Sequence, residues 1–183
     1  PQTVVEDPRV DVVVEVIGGI EPARSLILAA IKAGKSVVTA NKAVIARHGG
    51  EIAEAAAAAG VYVLIEAAVG GGIPIIEPLK QSLGGNRINR VSGIINGTTN
   101  YILTRMADEG AAYEDVLAEA QRLGYAEADP AADVDGLDAA DKIAILSTLA
   151  FGGGVDRQSI PTEGISRLPV SYTHLRAHET SNH

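Results

Sequence analysis

Cysteine is absent from the 183 residues. That excludes a disulfide scaffold, a thiolate zinc site and a cysteine nucleophile. Histidine is scarce: three of the four fall beyond Leu168, which leaves His48 in an alanine-rich stretch beside Gly49-Gly50. No segment shows the nucleophile elbow G-x-S-x-G, so a Ser-His-Asp hydrolase is poorly supported. Acid–base chemistry, if present, falls to lysine or carboxylate. No apolar run reaches the ~18 residues that a membrane helix needs. Runs such as Val61–Ile65 and Ile143–Leu146 have the lengths of strands or core helices. Cations are outnumbered, 15 Lys+Arg against 23 Asp+Glu, and the net charge of -8 argues against nucleic acid or an anionic membrane as partner. Pro1-Gln2-Thr3 carries no signal-peptide pattern. The expected location is the cytoplasm.

Hydrophobic residues make up 46% of the chain, enough for one good core or for parts of two domains. The charge is uneven. Asp108 to Asp141 holds eleven of the 23 acids and one cation, Arg122. An acidic segment that also reads as structured suits a cation or an amine; the plainer reading is a solvated acidic face.

The first third alternates strands and helices. Val10–Ile17 is a β-branched run of the kind found in strands buried on both faces. Gly18-Gly19 ends it, and Pro22 suits the first turn of a helix carrying Leu26, Ile27, Ala30 and Ile31, with Gly34 just past its end. Ser36–Thr39 is a second strand, a helix follows from about Ala43 to Ala59, Gly60 closes it, and Val61–Glu66 is a third strand. Short connections between such elements predict a parallel α/β sheet. After Glu66 comes Gly70-Gly71-Gly72, a helix near Ile75–Leu83 stopped by Gly84-Gly85, and a strand over Ile88–Ile95. Asn96-Gly97-Thr98-Thr99 offers several N-cap side chains to a helix running to about Glu109. Tyr113–Leu123 is another helix, Tyr125–Gly136 a loop containing Pro130, and Leu137–Phe151 the last helix. A domain change is expected near residues 67–72. The stretch 168–183 has no apolar period, and Ser171–Thr180 resembles the conceptual translation of a transposon-type sequencing adapter, so it reads as a foreign tail. His174 and His178, four apart within it, are a weak metal pair.

Two familiar motifs fail on inspection. Gly34-Lys35-Ser36 looks like the end of a P-loop, but residue 29 is Ala and the motif follows a helix instead of opening one. Asp133-Val134-Asp135-Gly136 looks like the middle of an EF-hand loop, but its twelfth position is Lys142, which would repel Ca²⁺.

Other residues are better candidates. Lys42 follows Asn41 at the carboxyl end of a strand, where open parallel sheets place ligand contacts. A cation at a helix start is mildly unfavourable, which favours a functional role. Lys142 lies four residues after Asp138, so the two share a helix face, and Ile143, Ala144 and Leu146 follow it, so the helix reads as largely buried. A buried lysine needs a partner or a lowered pKa, and both states are useful for proton transfer; a surface i, i+4 pair is the alternative. Glu127, Asp129, Asp133 and Asp135 crowd the loop before that helix and could grip an ammonium group or merely cap and hydrate. Glu66, with the backbone carbonyls of 69–73, could hold a hard cation or make a structural hydrogen bond.

Five stretches, in order, carry a resemblance: Val13–Gly19 (VVEVIGG), Gly34–Lys42 (GKSVVTANK), Glu66–Pro74 (EAAVGGGIP), Gly93–Tyr101 (GIINGTTNY) and Gly124–Lys142 (GYAEADPAADVDGLDAADK). Together they resemble homoserine dehydrogenase over about residues 10–166. The resemblance implies the C-terminal part of a Rossmann-like parallel-sheet domain (1–66), then a truncated α+β substrate and dimerisation domain (67–167). It implies interconversion of L-homoserine and L-aspartate 4-semialdehyde with NAD or NADP, on the route to threonine, methionine and isoleucine, by a homodimer when full length.

Residue by residue, the resemblance implies that Lys142 is the catalytic lysine and that Lys42 stands beside cofactor and substrate. It implies substrate binding by Glu127, Asp133 and Asp138, and cofactor contacts at Ile17, Gly18 and Lys42. It also implies a monovalent-cation site, usually sodium, at Glu66 with the backbone of Val69, Gly71 and Ile73. The family's opening strand and G-x-G-x-x-G loop have no counterpart in this sequence, so the 183 residues read as an internal fragment, inactive by itself and poor at binding NADPH. An exposed sheet edge and low solubility are expected with it. Other readings are another NAD(P)-dependent amino-acid dehydrogenase of the same two-domain plan, a non-catalytic acidic cation-binding or regulatory module, and fusion to an aspartate kinase.

Overall fold

The computed structural model describes residues 1–169. His174, His178 and most of the stretch 168–183 lie outside the described residues. The chain divides into two compact units, Pro1–Val91 with Asp141–Ile160, and Ser92–Ala140 with the residues from Pro161 onward.

The first unit opens with α1 (Gln2–Glu6) and then repeats a strand–helix pattern: β1 (Val12–Glu15), α2 (Ala23–Lys32), β2 (Ser36–Thr39), α3 (Lys42–Ala59) and β3 (Val63–Leu64). The strands form one parallel sheet in the order β1-β2-β3. Val12 to Glu15 lie opposite Ser36 to Thr39. The helices form where the sequence puts apolar residues three and four apart. Ile27, Ala30 and Ile31 of α2 and Val44, Ile52 and Ala56 of α3 are buried with Val13 and Val37 of the sheet. Each large side chain so buried contributes roughly 1.5–3 kcal/mol. Asn41 caps α3, its side chain accepting from the amide of Val44, and Gly60 ends it in the left-handed conformation at φ 67°.

Four expectations for this unit need correction. β1 is not buried on both faces. Among the described residues it is an edge strand, and its residues alternate, with Val13 and Glu15 inside while Val12, Val14 and Val16 are 50%, 64% and 72% exposed. β3 spans two residues instead of six, because the amide of Val61 is taken by the carbonyl of Ala56 at the end of α3 and Glu66 opens a 3₁₀ turn, Glu66–Ala68. Glu66 therefore does not end a strand. Where a helix over 75–83 is expected, the main element is a π-helical turn, Pro78–Ser82, closed from the amide of Leu83 to the carbonyl of Pro78. Proline has no N–H to continue an α-helical ladder. Residues 88–95 form no strand; Ile88 and Val91 dock on the core as separate side chains, and among the described residues no strand pairs with the segment.

The second unit is helical. It comprises α4 (Gly97–Glu109), α5 (Tyr113–Arg122), α6 (Ala131–Val134) and the first turn of α7 (Leu137–Phe151), which continues into the first unit. Asn96 caps α4 and Gly110 ends it at φ 67°. Ile102, Met106, Val116, Ala120, Ala126, Val134 and Ile165 form its core. The segment 125–136, expected as a loop throughout, contains the single turn α6, started by Pro130. Ile165 straps across it, its amide donating to the carbonyl of Val134 at 2.8 Å. Tyr101 and Tyr125 meet edge to face with ring centres 5.1 Å apart.

Candidate functional site

In the first unit the carboxyl ends of β1 and β2 hold a group of polar residues. Glu15 is 3% exposed, yet no bulk water is needed to satisfy it. Its Oε1 accepts from the amide of Ile17 at 2.7 Å and its Oε2 from the hydroxyl of Thr39 at 2.6 Å. Thr39 Oγ1 in turn accepts from the amide of Asn41 at 2.9 Å, and Asn41 Nδ2 donates to the carbonyl of Gly19 at 2.7 Å. Between them Ile17, Gly18 and Gly19 form an exposed turn, with Gly18 at φ 81° and Gly19 at φ 71°, a region that penalises any side chain. Lys42 is the first residue of α3 and is half-buried.

Lys142 is half-buried on α7. The residue before it, Asp141, is 6% exposed and is held by two arginines. Arg157 Nε donates to its Oδ1 at 2.5 Å and Arg47 Nη1 to its Oδ2 at 3.1 Å. Arg47 lies on α3, the helix that begins at Lys42. The ion pair therefore ties the helix of one candidate lysine to the helix of the other, inside one unit.

In the second unit Asn96 gathers two carboxylates. Its Nδ2 donates to Asp133 Oδ1 at 2.7 Å and to Asp138 Oδ2 at 2.9 Å, while its Oδ1 accepts from the amide of Thr99 at 2.9 Å. Asp138 is 7% exposed. Asp133 and Asp138 are thus brought together, and α7 carries Lys142 four residues after Asp138. Glu127 is exposed; its carbonyl accepts from Gln121 Nε2 at 3.0 Å.

Glu66 is engaged by backbone. Oε1 accepts from the amides of Ile75 at 2.6 Å and Ile76 at 2.9 Å, and Oε2 from that of Glu77 at 2.8 Å. Burial pushes its carboxyl up, but the three amides, with Lys80 nearby, outweigh that and hold it below the usual carboxylate range. Val69 is buried, whereas Gly71 and Ile73 are exposed. Among the described residues no group of three or more His, Asp or Glu side chains converges as a metal cluster. A separate apolar groove of about 700 Å³ between α3 and the later turns of α7 is lined by none of these candidates.

Asn96, Glu15, Thr39 and Asp141 escape a sequence reading as site residues. Asn96 shows only as a helix cap, because its partners are 37 and 42 residues away. Glu15 leaves one trace, an acid inside a β-branched run.

Two family models match the chain: homoserine dehydrogenase, NAD binding domain, over residues 2–66, and homoserine dehydrogenase over residues 74–182. The chain belongs to the homoserine dehydrogenase family. The homoserine dehydrogenase of Synechocystis sp. is 69% identical over 174 residues, covering 93% of this chain and 40% of that protein. That of Corynebacterium glutamicum is 58% identical over 167 residues, covering 91% and 38%. The crystal structure of the homoserine dehydrogenase from Thiobacillus denitrificans superposes with a TM-score of 0.91 at 56% identity, covering 97% of this chain and 41% of that one. A hyperthermophilic archaeal homoserine dehydrogenase in complex with NADPH superposes with a TM-score of 0.83 at 33% identity, covering 92% and 52%. The chain therefore spans about two fifths of the length of the curated relatives it matches. No helix among the described residues is long and apolar enough to cross a membrane.

Proposed function

We propose that the intact protein interconverts L-homoserine and L-aspartate 4-semialdehyde with NAD or NADP, in the biosynthesis of threonine, methionine and isoleucine, as a cytoplasmic homodimer. The observation that carries the reading is the convergence of Asp133 and Asp138 on Asn96, on the run into the helix that bears Lys142.

The substrate is a zwitterionic amino alcohol. Its ammonium needs carboxylates, and Asp133, Asp138 and Glu127 supply them. Its hydroxyl must lose a proton as the carbinol carbon is oxidised. Lys142 takes that proton on Nζ in one direction and returns it in the other. The nicotinamide cofactor, when bound, supplies the hydride chemistry. Residues 1–66 belong to the cofactor-binding domain, and the turn Ile17–Gly19 with Lys42 fits such a ligand: Gly18 and Gly19 expose backbone at the carboxyl edge of a parallel sheet, where such folds bind nucleotides. Residues 67–167 belong to the substrate domain. Glu66, with the carbonyls of Val69, Gly71 and Ile73, offers oxygen donors only and an ionised carboxylate, a set that suits a hard monovalent cation such as sodium.

The test is an assay of the complete protein with aspartate 4-semialdehyde and other aldehydes of similar size. Selective oxidation of NAD(P)H by the semialdehyde supports the reading; equal or greater turnover of a different aldehyde overturns it.

A further inference from the structure

Glu15 and Thr39 are paired in register on adjacent strands and both are nearly inaccessible, at 3% and 0% exposure. A valine pair would fill such a site without the cost of desolvating a carboxylate, which is several kcal/mol when uncompensated. What the polar pair adds is direction. The hydrogen bonds run from the Ile17 amide to Glu15, from the Thr39 hydroxyl to Glu15, from the Asn41 amide to Thr39, and from the Asn41 side chain back to the Gly19 carbonyl. Both ends of the Ile17–Gly19 turn are thereby fixed to the cap of α3. Glu15 must accept twice, once on each oxygen, so only a carboxylate serves both donors. Thr39 donates to Glu15 and accepts from Asn41, so its hydroxyl is needed in both senses.

We infer that Glu15 and Thr39 are positioning residues for the nicotinamide cofactor, holding the exposed Gly18-Gly19 turn and the start of α3 in the arrangement that receives it. The inference rests on the dinucleotide reading of this edge but not on which alcohol is oxidised. The glycines that make the turn accessible also leave it free to sample many conformations; the buried circuit removes that freedom before the ligand arrives.

The experiment uses the complete protein and titrates NADPH by fluorescence, with amide hydrogen exchange on the cofactor-free form. Thr39→Val is expected to weaken NADPH binding by about 10-fold, the order set by loss of one buried hydrogen-bonding group, and to speed exchange at Asn41. Glu15→Gln is expected to speed exchange at Ile17 and to weaken NADPH binding. The double variant is expected to be no weaker than the worse single one, since both break one circuit. Thr39→Ser, which keeps the hydroxyl, is expected to restore binding. In steady state the loss should fall on the KM for cofactor and not on kcat at saturating cofactor. NADPH binding by Thr39→Val within about twofold of wild type, failure of Thr39→Ser to restore it, or a wild-type protein that does not bind NADPH overturns the inference. A protein that binds NADPH, obeys this pattern and ignores homoserine overturns the proposed reaction alone.

Discussion

Arg157 and Asp141 form a buried ion pair, Nε to Oδ1 at 2.5 Å with side-chain exposures of 10% and 8%, one residue ahead of Lys142. Arg47 makes the second contact to the same carboxylate. Removing one partner of a buried pair leaves the other charge uncompensated, which costs about 3–5 kcal/mol. Asp141→Ala in the complete protein is expected to lower the thermal midpoint by several degrees and reduce kcat by misplacing Lys142. Arg47→Ala, which removes the more exposed partner, is expected to cost about 1 kcal/mol or less. Paired thermal melts check the ranking; equal losses would contradict it.

Asn96 does two jobs that can be separated. It caps α4 and it draws Asp133 and Asp138 together. Asn96→Ala loses both, with about 1 kcal/mol attributable to the cap. Asn96→Ser keeps a capping oxygen but cannot span two carboxylates. The expected outcome is recovery of most of the stability by serine while the KM for homoserine stays raised. A serine variant with wild-type KM would show that the bridge does not matter to the substrate.

The sheet's outer strand predicts behaviour of the 183 residues expressed alone. Among the described residues no strand pairs with the outer edge of β1, and Val12, Val14 and Val16 are exposed beside it. Such edges recruit other chains unless a charge interrupts them. Val14→Lys is expected to raise the soluble fraction without lowering the thermal midpoint by more than a degree or two. No gain in solubility would contradict a role for this edge in aggregation.

Much of this was legible without coordinates. The period of apolar residues and the glycine and asparagine caps locate α2, α3, α4, α5 and α7 within a residue or two, because those signals are local. What failed was non-local. Whether Val12 and Val14 are covered depends on a neighbouring strand; whether 88–95 is a strand depends on a partner for its amides. Lys142, Lys42 and the acids of 127–138 could be singled out by charge and position. Asn96 and the Glu15–Thr39 pair could not, since their meaning lies in partners across 24 to 42 residues of chain.

Glu66 gives a pH dependence with a definite sign. Its carboxyl in the folded chain titrates below the ordinary value of 4.5, burial opposing and the amides of Glu77, Ile75 and Ile76 prevailing. A group depressed on folding stabilises the fold above its unfolded value and loses that contribution as pH falls through the folded one. Stability is therefore expected to drop from about pH 4.5 downward, and Glu66→Gln is expected to flatten that part of the profile while lowering stability at neutral pH. A variant profile parallel to wild type in this window would remove Glu66 from the effect.

The most direct test of the account is turnover by the complete protein with Lys142 replaced by alanine. If this amine carries the substrate's hydroxyl proton, kcat for homoserine oxidation falls by at least ~100-fold, while NADPH affinity and thermal midpoint hold. A Lys142→Ala enzyme that turns over at a near-normal rate would contradict it.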